Sequence, residues 1–227
     1  MEKPTAEDIL AAQVSFEFVA ALVHDEPTTD MLNTLREESA LDEAPFGNEN
    51  ENVKRGLALM RGWLATNIEE AADHELAGEW LDLLIGRGEP KAPCWESYYT
   101  EPDRRLYSQN SIDIKKAFRE HGAQLQTSEN EPVDHLGILL RFVAFLMAQE
   151  INALNTENHE QAEWYAKSQK EFLSTHVLPW LSSWFTNVQR STKNDFYLGV
   201  SYLLFGIVQS YVERFGIYYY STRDVFE

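Results

Sequence analysis

The chain has 227 residues and a mass of 26.2 kDa, room for one large domain or two interleaved halves, and its 44% apolar and 12% aromatic content excludes a disordered chain. A formal charge of −18 repels phosphate backbones and anionic headgroups, which sets nucleic acid and membrane surfaces aside as partners. A single cysteine, Cys94, can form no internal disulfide, so a reducing compartment suits the chain.

The elements follow in order. Thr5 and Asp8 form a capping-box pattern ahead of Ile9, Ala12, Phe16, Val19 and Val23 at helical spacing, which predicts a first helix ending near His24. A short helix carrying Met31, Leu32 and Leu35 follows, and then an acidic Asn/Glu stretch through Asn52 that reads as a mobile loop. Val53, Leu57, Met60 and Leu64 make the next helical stripe. Asn67 with Glu70 is expected to cap a further helix bearing Leu76, Trp80, Leu83 and Leu84, closed by Gly86.

Residues 86–103 contain Gly86, Gly88, Pro90, Pro93 and Pro102, which deny a helix interior and a central strand. This stretch is expected to be a long ordered loop whose Trp95, Tyr98 and Tyr99 need a surface to pack on. A helix over about Ser111–His121 follows. Pro132 is expected to open the most apolar helix, running to about Leu154. Helices are then predicted from Glu157 to about Thr175, from Pro179 with Trp180, Trp184 and Val188, and from Asn194 to Phe215. Ile217 to Thr222 has strand propensity but no partner in sequence. The fold expected is all-α: a single helical domain of nine or ten helices, with N-terminal helices (1–86), a proline-rich linker (87–110) and C-terminal helices (111–227).

Neither end of this reading suggests a membrane. The first residues carry Glu2, Glu7 and Asp8 without a basic cluster and apolar run, so no secretory signal is expected. The apolar run Leu136 to Ala148 is short of the ~20 residues a membrane span needs. The charge is uneven as well: residues 1–100 carry 21 acids against 7 bases, and residues 101–227 carry 16 against 12. The acidic first part is either a solvated, solubilising face or a surface for a basic partner.

Most site chemistry is missing. Gly86-Arg87-Gly88 supplies only the first glycines of a phosphate-cradling loop. No Glu-x-x-His pairs occur for a di-metal bundle, and His74-Glu75 lacks the second histidine of a zinc helix. No metal, cofactor or catalytic residue is therefore expected. Cys94 could act as a nucleophile only with a histidine such as His135 or His176 in reach, and a lone cysteine between proline and tryptophan is more often a packed side chain.

Two constellations stand out. Pro93-Cys94-Trp95-Glu96-Ser97-Tyr98-Tyr99 lies in the proline-rich loop, and Glu131-Pro132-Val133-Asp134-His135 lies at the start of the most apolar helix. Carboxylates at a helix start are explained by capping alone. They also suit an arginine-containing apolar peptide, held by charge-assisted bonds and burial.

Here the sequence resembles the TorD/DmsD-type chaperones that mature molybdenum-containing redox enzymes. Glu131-Pro132-x-Asp134-His135 is similar to that family's E-P-x-D-H motif, and Trp95-Glu96-Ser97-x-Tyr99 to its P-(Y/W)-E-S-x-Y motif. Phe172-Leu173-x-x-His176-Val177-x-Pro179-Trp180 resembles a third segment, and Asn194-Asp195-Phe196-Tyr197 opens the last helix as the family's does. Cys94 and Tyr98 depart from the family's more frequent proline and valine. The resemblance implies a cytoplasmic, non-enzymatic, all-helical chaperone that binds the twin-arginine signal peptide and catalytic subunit of a molybdopterin oxidoreductase, as a monomer or domain-swapped homodimer. The peptide-binding residues expected are Glu131, Pro132, Asp134 and His135 with Trp95, Tyr98 and Tyr99: Asp134 and Glu131 facing arginine, His135 orienting or hydrogen-bonding, and the three aromatic residues walling a groove. Glu96 and Ser97 either join that groove or hold the loop against the helix start. The rivals are a nucleotide-binding or enzymatic protein on the same fold, separable by bound nucleotide or metal, and a general helical scaffold that would not need Asp134.

Overall fold

The computed structural model describes residues 4–37, 41–86, 88–101, 109–124 and 132–218. Among them are ten α-helices and no strand. The first helix, α1 (Ala6–His24), starts as its sequence predicts: Thr5 Oγ1 accepts the Asp8 N–H, and the Asp8 carboxylate accepts the Thr5 N–H at 2.7 Å. α2 (Thr29–Glu37) and α3 (Glu51–Thr66) follow. In the acidic stretch expected to be mobile, the described residues 41–50 are packed: Leu41, Ala44 and Phe46 are buried, and Phe46 meets the rings of Tyr211 and Phe215. Its acidic residues hide three apolar anchors, and these decide its packing.

Asn67 also serves differently from its sequence reading. It ends α3, with Nδ2 donating to the Trp63 carbonyl at 2.8 Å, whereas Glu69 precedes α4 (Glu70–Trp80) without a side-chain cap. α4 then widens into a π-helical turn, Leu81–Ile85, closed by Gly86 at φ 89. Within the proline-rich stretch lies a short helix that proline counting missed, α5 (Glu96–Thr100), followed by α6 (Gln109–Glu120).

The core is built on α7 (Leu136–Asn155), which packs along α1 on one side and α8 (His159–His176) on another. Its 20 residues make it long and apolar enough to cross a membrane by length and composition, longer than the 13-residue run read from sequence, but most of its apolar stretch is buried here. The N-cap of α7 is His135, so Pro132 lies ahead of the cap and does not open the helix. α9 (Leu178–Ser191) carries Pro179 in its first turn, and α10 (Asp195–Phe215) is capped by Asn194 and closed by left-handed Gly216. α10 lies against α3 so closely that a Cβ on Gly56 would stand 2.5 Å from the Leu203 nitrogen. The N-terminal helices α1 and α3 thus pack on the C-terminal helices α7 and α10 around one apolar cluster.

Candidate functional site

The two constellations meet at the tip of α7. Leu136 donates its N–H to the Cys94 carbonyl at 2.6 Å, Glu96 donates to the Asp134 carbonyl at 3.1 Å, and Trp95 and His135 form an isolated antiparallel bridge. Backbone pairing therefore fixes the segment before α5 against the segment before α7. Asp134 completes the junction with its side chain: Oδ2 accepts the Ser97 N–H at 3.0 Å. A carboxylate at the first turn of α5 satisfies a donor that the helix leaves unpaired.

His135 is the N-cap of α7. Its Nδ1 accepts the Gly137 N–H at 3.1 Å, which puts the ring proton on Nε2. Burial, with the nearby His24 and Arg141 charges, depresses its pKa to about 3, so the ring is neutral at physiological pH. Among the described residues, Nε2 is buried with no hydrogen-bond partner, as are Oδ1 of Asp134, Oγ of Ser97 and Nε1 of Trp95.

The third motif joins them. Glu96 is buried, and its carboxylate lies 3.0 Å from Nδ1 of His176 on α8 and accepts from Asn110 on α6 at 3.0 Å. Burial pushes the Glu96 carboxyl above the usual range, against the pull of His176. Tyr99 stacks on Trp180 with centroids 5.0 Å apart, and the Trp180 indole donates to the His176 carbonyl at 2.6 Å. Tyr98 lies edge-on to Tyr99 at 5.1 Å. α5 is thus gripped by α6, α7, α8 and α9 at once. The sequence offered His176 only as a possible partner for Cys94 and gave Trp180 no site role, although their motif was visible; the pairing of Glu96 with a residue 80 positions away was not.

The site residues read from sequence therefore divide. Pro132, Asp134, His135, Glu96 and Ser97 are buried and bonded within the junction; Trp95, Tyr98 and Tyr99 are half-buried along its edge; and Glu131 lies outside the described residues. The structure brings the two motifs together and turns their polar groups inward. The backbone N–H groups of Glu96 and Ser97 both bond Asp134, which joins the loop to the helix start. Cys94 is fully buried, and burial pushes its thiol up to about 12, which deprives it of nucleophilic thiolate. No cluster of His, Cys, Asp or Glu able to hold a metal ion occurs among the described residues.

The sequence model of the nitrate reductase delta subunit family matches residues 47–186. A Haemophilus influenzae protein named as a probable Tat proofreading chaperone DmsD is 23% identical over 188 residues, 83% of this chain and 81% of that one. The chaperone protein TorD of Vibrio cholerae serotype O1 is 28% identical over 154 residues, 68% of this chain and 64% of its own length. A crystal structure assigned as a redox enzyme maturation protein of Archaeoglobus fulgidus shares the fold, with a TM-score of 0.50 at 16% identity over 86% of this chain and 92% of that one.

Proposed function

Since the chain belongs to the nitrate reductase delta subunit family, with DmsD and TorD chaperones among its relatives, we propose that it is a cytoplasmic chaperone for the maturation of a molybdopterin-dependent oxidoreductase. It binds the twin-arginine signal peptide of the enzyme's catalytic subunit and delays export until the cofactor is in place. A twin-arginine leader joins a basic stretch to an apolar one, so its receptor needs carboxylates beside apolar and aromatic surface. The junction at the α7 tip has both kinds of group.

The observation that carries this reading is the convergence of three separated sequence motifs on α5, with four buried polar atoms left unsatisfied there. Glu131 and Asp134 face the arginines, and Tyr98, Tyr99 and Trp95 wall the apolar part of the groove. Asp134 Oδ1 reaches a guanidinium only when α5 moves off the α7 tip, and the unmet hydrogen-bonding capacity of the closed junction lowers the cost of that movement. His135 keeps the start of α7 in shape while α5 moves.

Co-expression with a catalytic subunit encoded beside this gene tests the reading. The subunit with its leader co-purifies with the chaperone, and the subunit lacking its leader does not. Equal co-purification of both forms contradicts leader recognition.

A further inference from the structure

A second candidate site lies beside the third motif, away from the junction at the α7 tip. Between α6 and α8, with α7 as its floor, is a cavity of about 190 Å³ lined by Ala117, Phe142, Phe172 and His176, with Glu120 and Glu171 among its polar residues. Phe142 and Phe172 meet at 4.7 Å, Phe172 and His176 at 4.8 Å. The lining thus joins aromatic rings to two carboxylates. An anion is repelled by such a lining, and a bare hydrocarbon leaves carboxylates unpaired beside it. A cation on an apolar stem suits both parts, with its stem on the rings and its charge at the carboxylates. Among the described residues, the carboxylates are engaged by Lys116 at 3.6 Å and Lys167 at 3.4 Å, each one turn away on its own helix and well exposed. Exposed pairs of this kind are weak, and an arginine that forks onto a carboxylate displaces them.

We propose that this cavity receives a basic side chain of the bound leader, arginine in preference to lysine; the inference rests on the peptide-chaperone reading and assigns that peptide a second contact. His176 makes the contact consequential. The histidine that lines the cavity also holds Glu96 through Nδ1 at 3.0 Å. A side chain entering here reaches the anchor of α5 from an open face, before Asp134 is exposed.

The test uses the full chain and a synthetic peptide of two consecutive arginines followed by a leucine- and alanine-rich stretch. Its twin-alanine counterpart is the control. The combined variant Glu120→Gln/Glu171→Gln, changed only at exposed positions, raises the Kd of the twin-arginine peptide about tenfold and leaves that of the twin-alanine peptide unchanged. The charge-matched variant Glu49→Gln/Glu51→Gln leaves both unchanged. Peptide slows hydrogen exchange at 117–121 and 168–176 in the unaltered protein. An unchanged Kd in the Glu120/Glu171 variant, or an equal loss for both peptides, overturns the cavity assignment while leaving the peptide-chaperone reading standing. No binding of the twin-arginine peptide to the unaltered protein overturns both.

Discussion

Ser97 donates its backbone N–H to Oδ2 of Asp134 at 3.0 Å, while the other oxygen of that buried carboxylate has no hydrogen-bond partner among the described residues. One residue thus caps α5 and keeps an acceptor in reserve. Asp134→Ala removes a charge-assisted bond and leaves a buried N–H unpaired, so it lowers unfolding stability by about 1.5–3 kcal/mol in chemical denaturation. Asp134→Asn, which can keep an acceptor toward Ser97, costs less. A loss no larger for alanine than for asparagine contradicts the capping role.

Much of this was legible in the sequence. The apolar stripes of α1, α3 and α10 and the capping residues Thr5 and Asn194 fix those helices locally. The motifs named the right segments for the junction. What sequence could not give were contacts across long separations: Glu96 with His176, Tyr99 with Trp180, and Phe46 with Tyr211. These decide that a proline-rich stretch holds a helix, that an acidic loop is packed, and that the polar motif residues point inward. Local propensity carries no information on such partners.

A buried polar chain links α7, α8 and α10: Tyr211 donates to Gln169 at 2.5 Å, and Gln169 donates to Glu150 at 2.7 Å. Burial raises the Glu150 carboxyl, against Gln169 and Lys170. The folded state therefore holds that proton more tightly than the unfolded chain does. The resulting stabilisation is full below the ordinary glutamate range, about pH 4, and is lost as pH rises through the raised value. Glu150→Gln keeps an acceptor for Gln169 and removes the titration, so its melting temperature relative to the unaltered protein rises with pH. A difference independent of pH rules out this contribution.

Gly56 tests the contact between α3 and α10. Helix propensity alone favours alanine by about 1 kcal/mol. A Cβ there would stand 2.5 Å from the Leu203 nitrogen and 2.7 Å from the Gly199 carbonyl oxygen, both backbone atoms that cannot rotate away. Gly56→Ala therefore destabilises by about 1–3 kcal/mol or more. A stabilised variant in thermal or urea unfolding would show that the helices separate freely.

Cys94 is fully buried and its thiol is pushed up to about 12. In the native protein near neutral pH it does not react with a disulfide reagent such as Ellman's, and one thiol per chain reacts after denaturation. Rapid native labelling would restore the nucleophile reading.

Calorimetric titration with the twin-arginine signal peptide of a molybdopterin oxidoreductase from the same organism is the most direct test of the chaperone assignment. The expected result is saturable binding, of about micromolar affinity, that weakens as salt is raised, falls with Asp134→Ala in protein still folded by circular dichroism, and is lost when both arginines of the peptide are replaced by alanine. No saturable heat at high micromolar peptide, or equal binding of the alanine peptide, contradicts it.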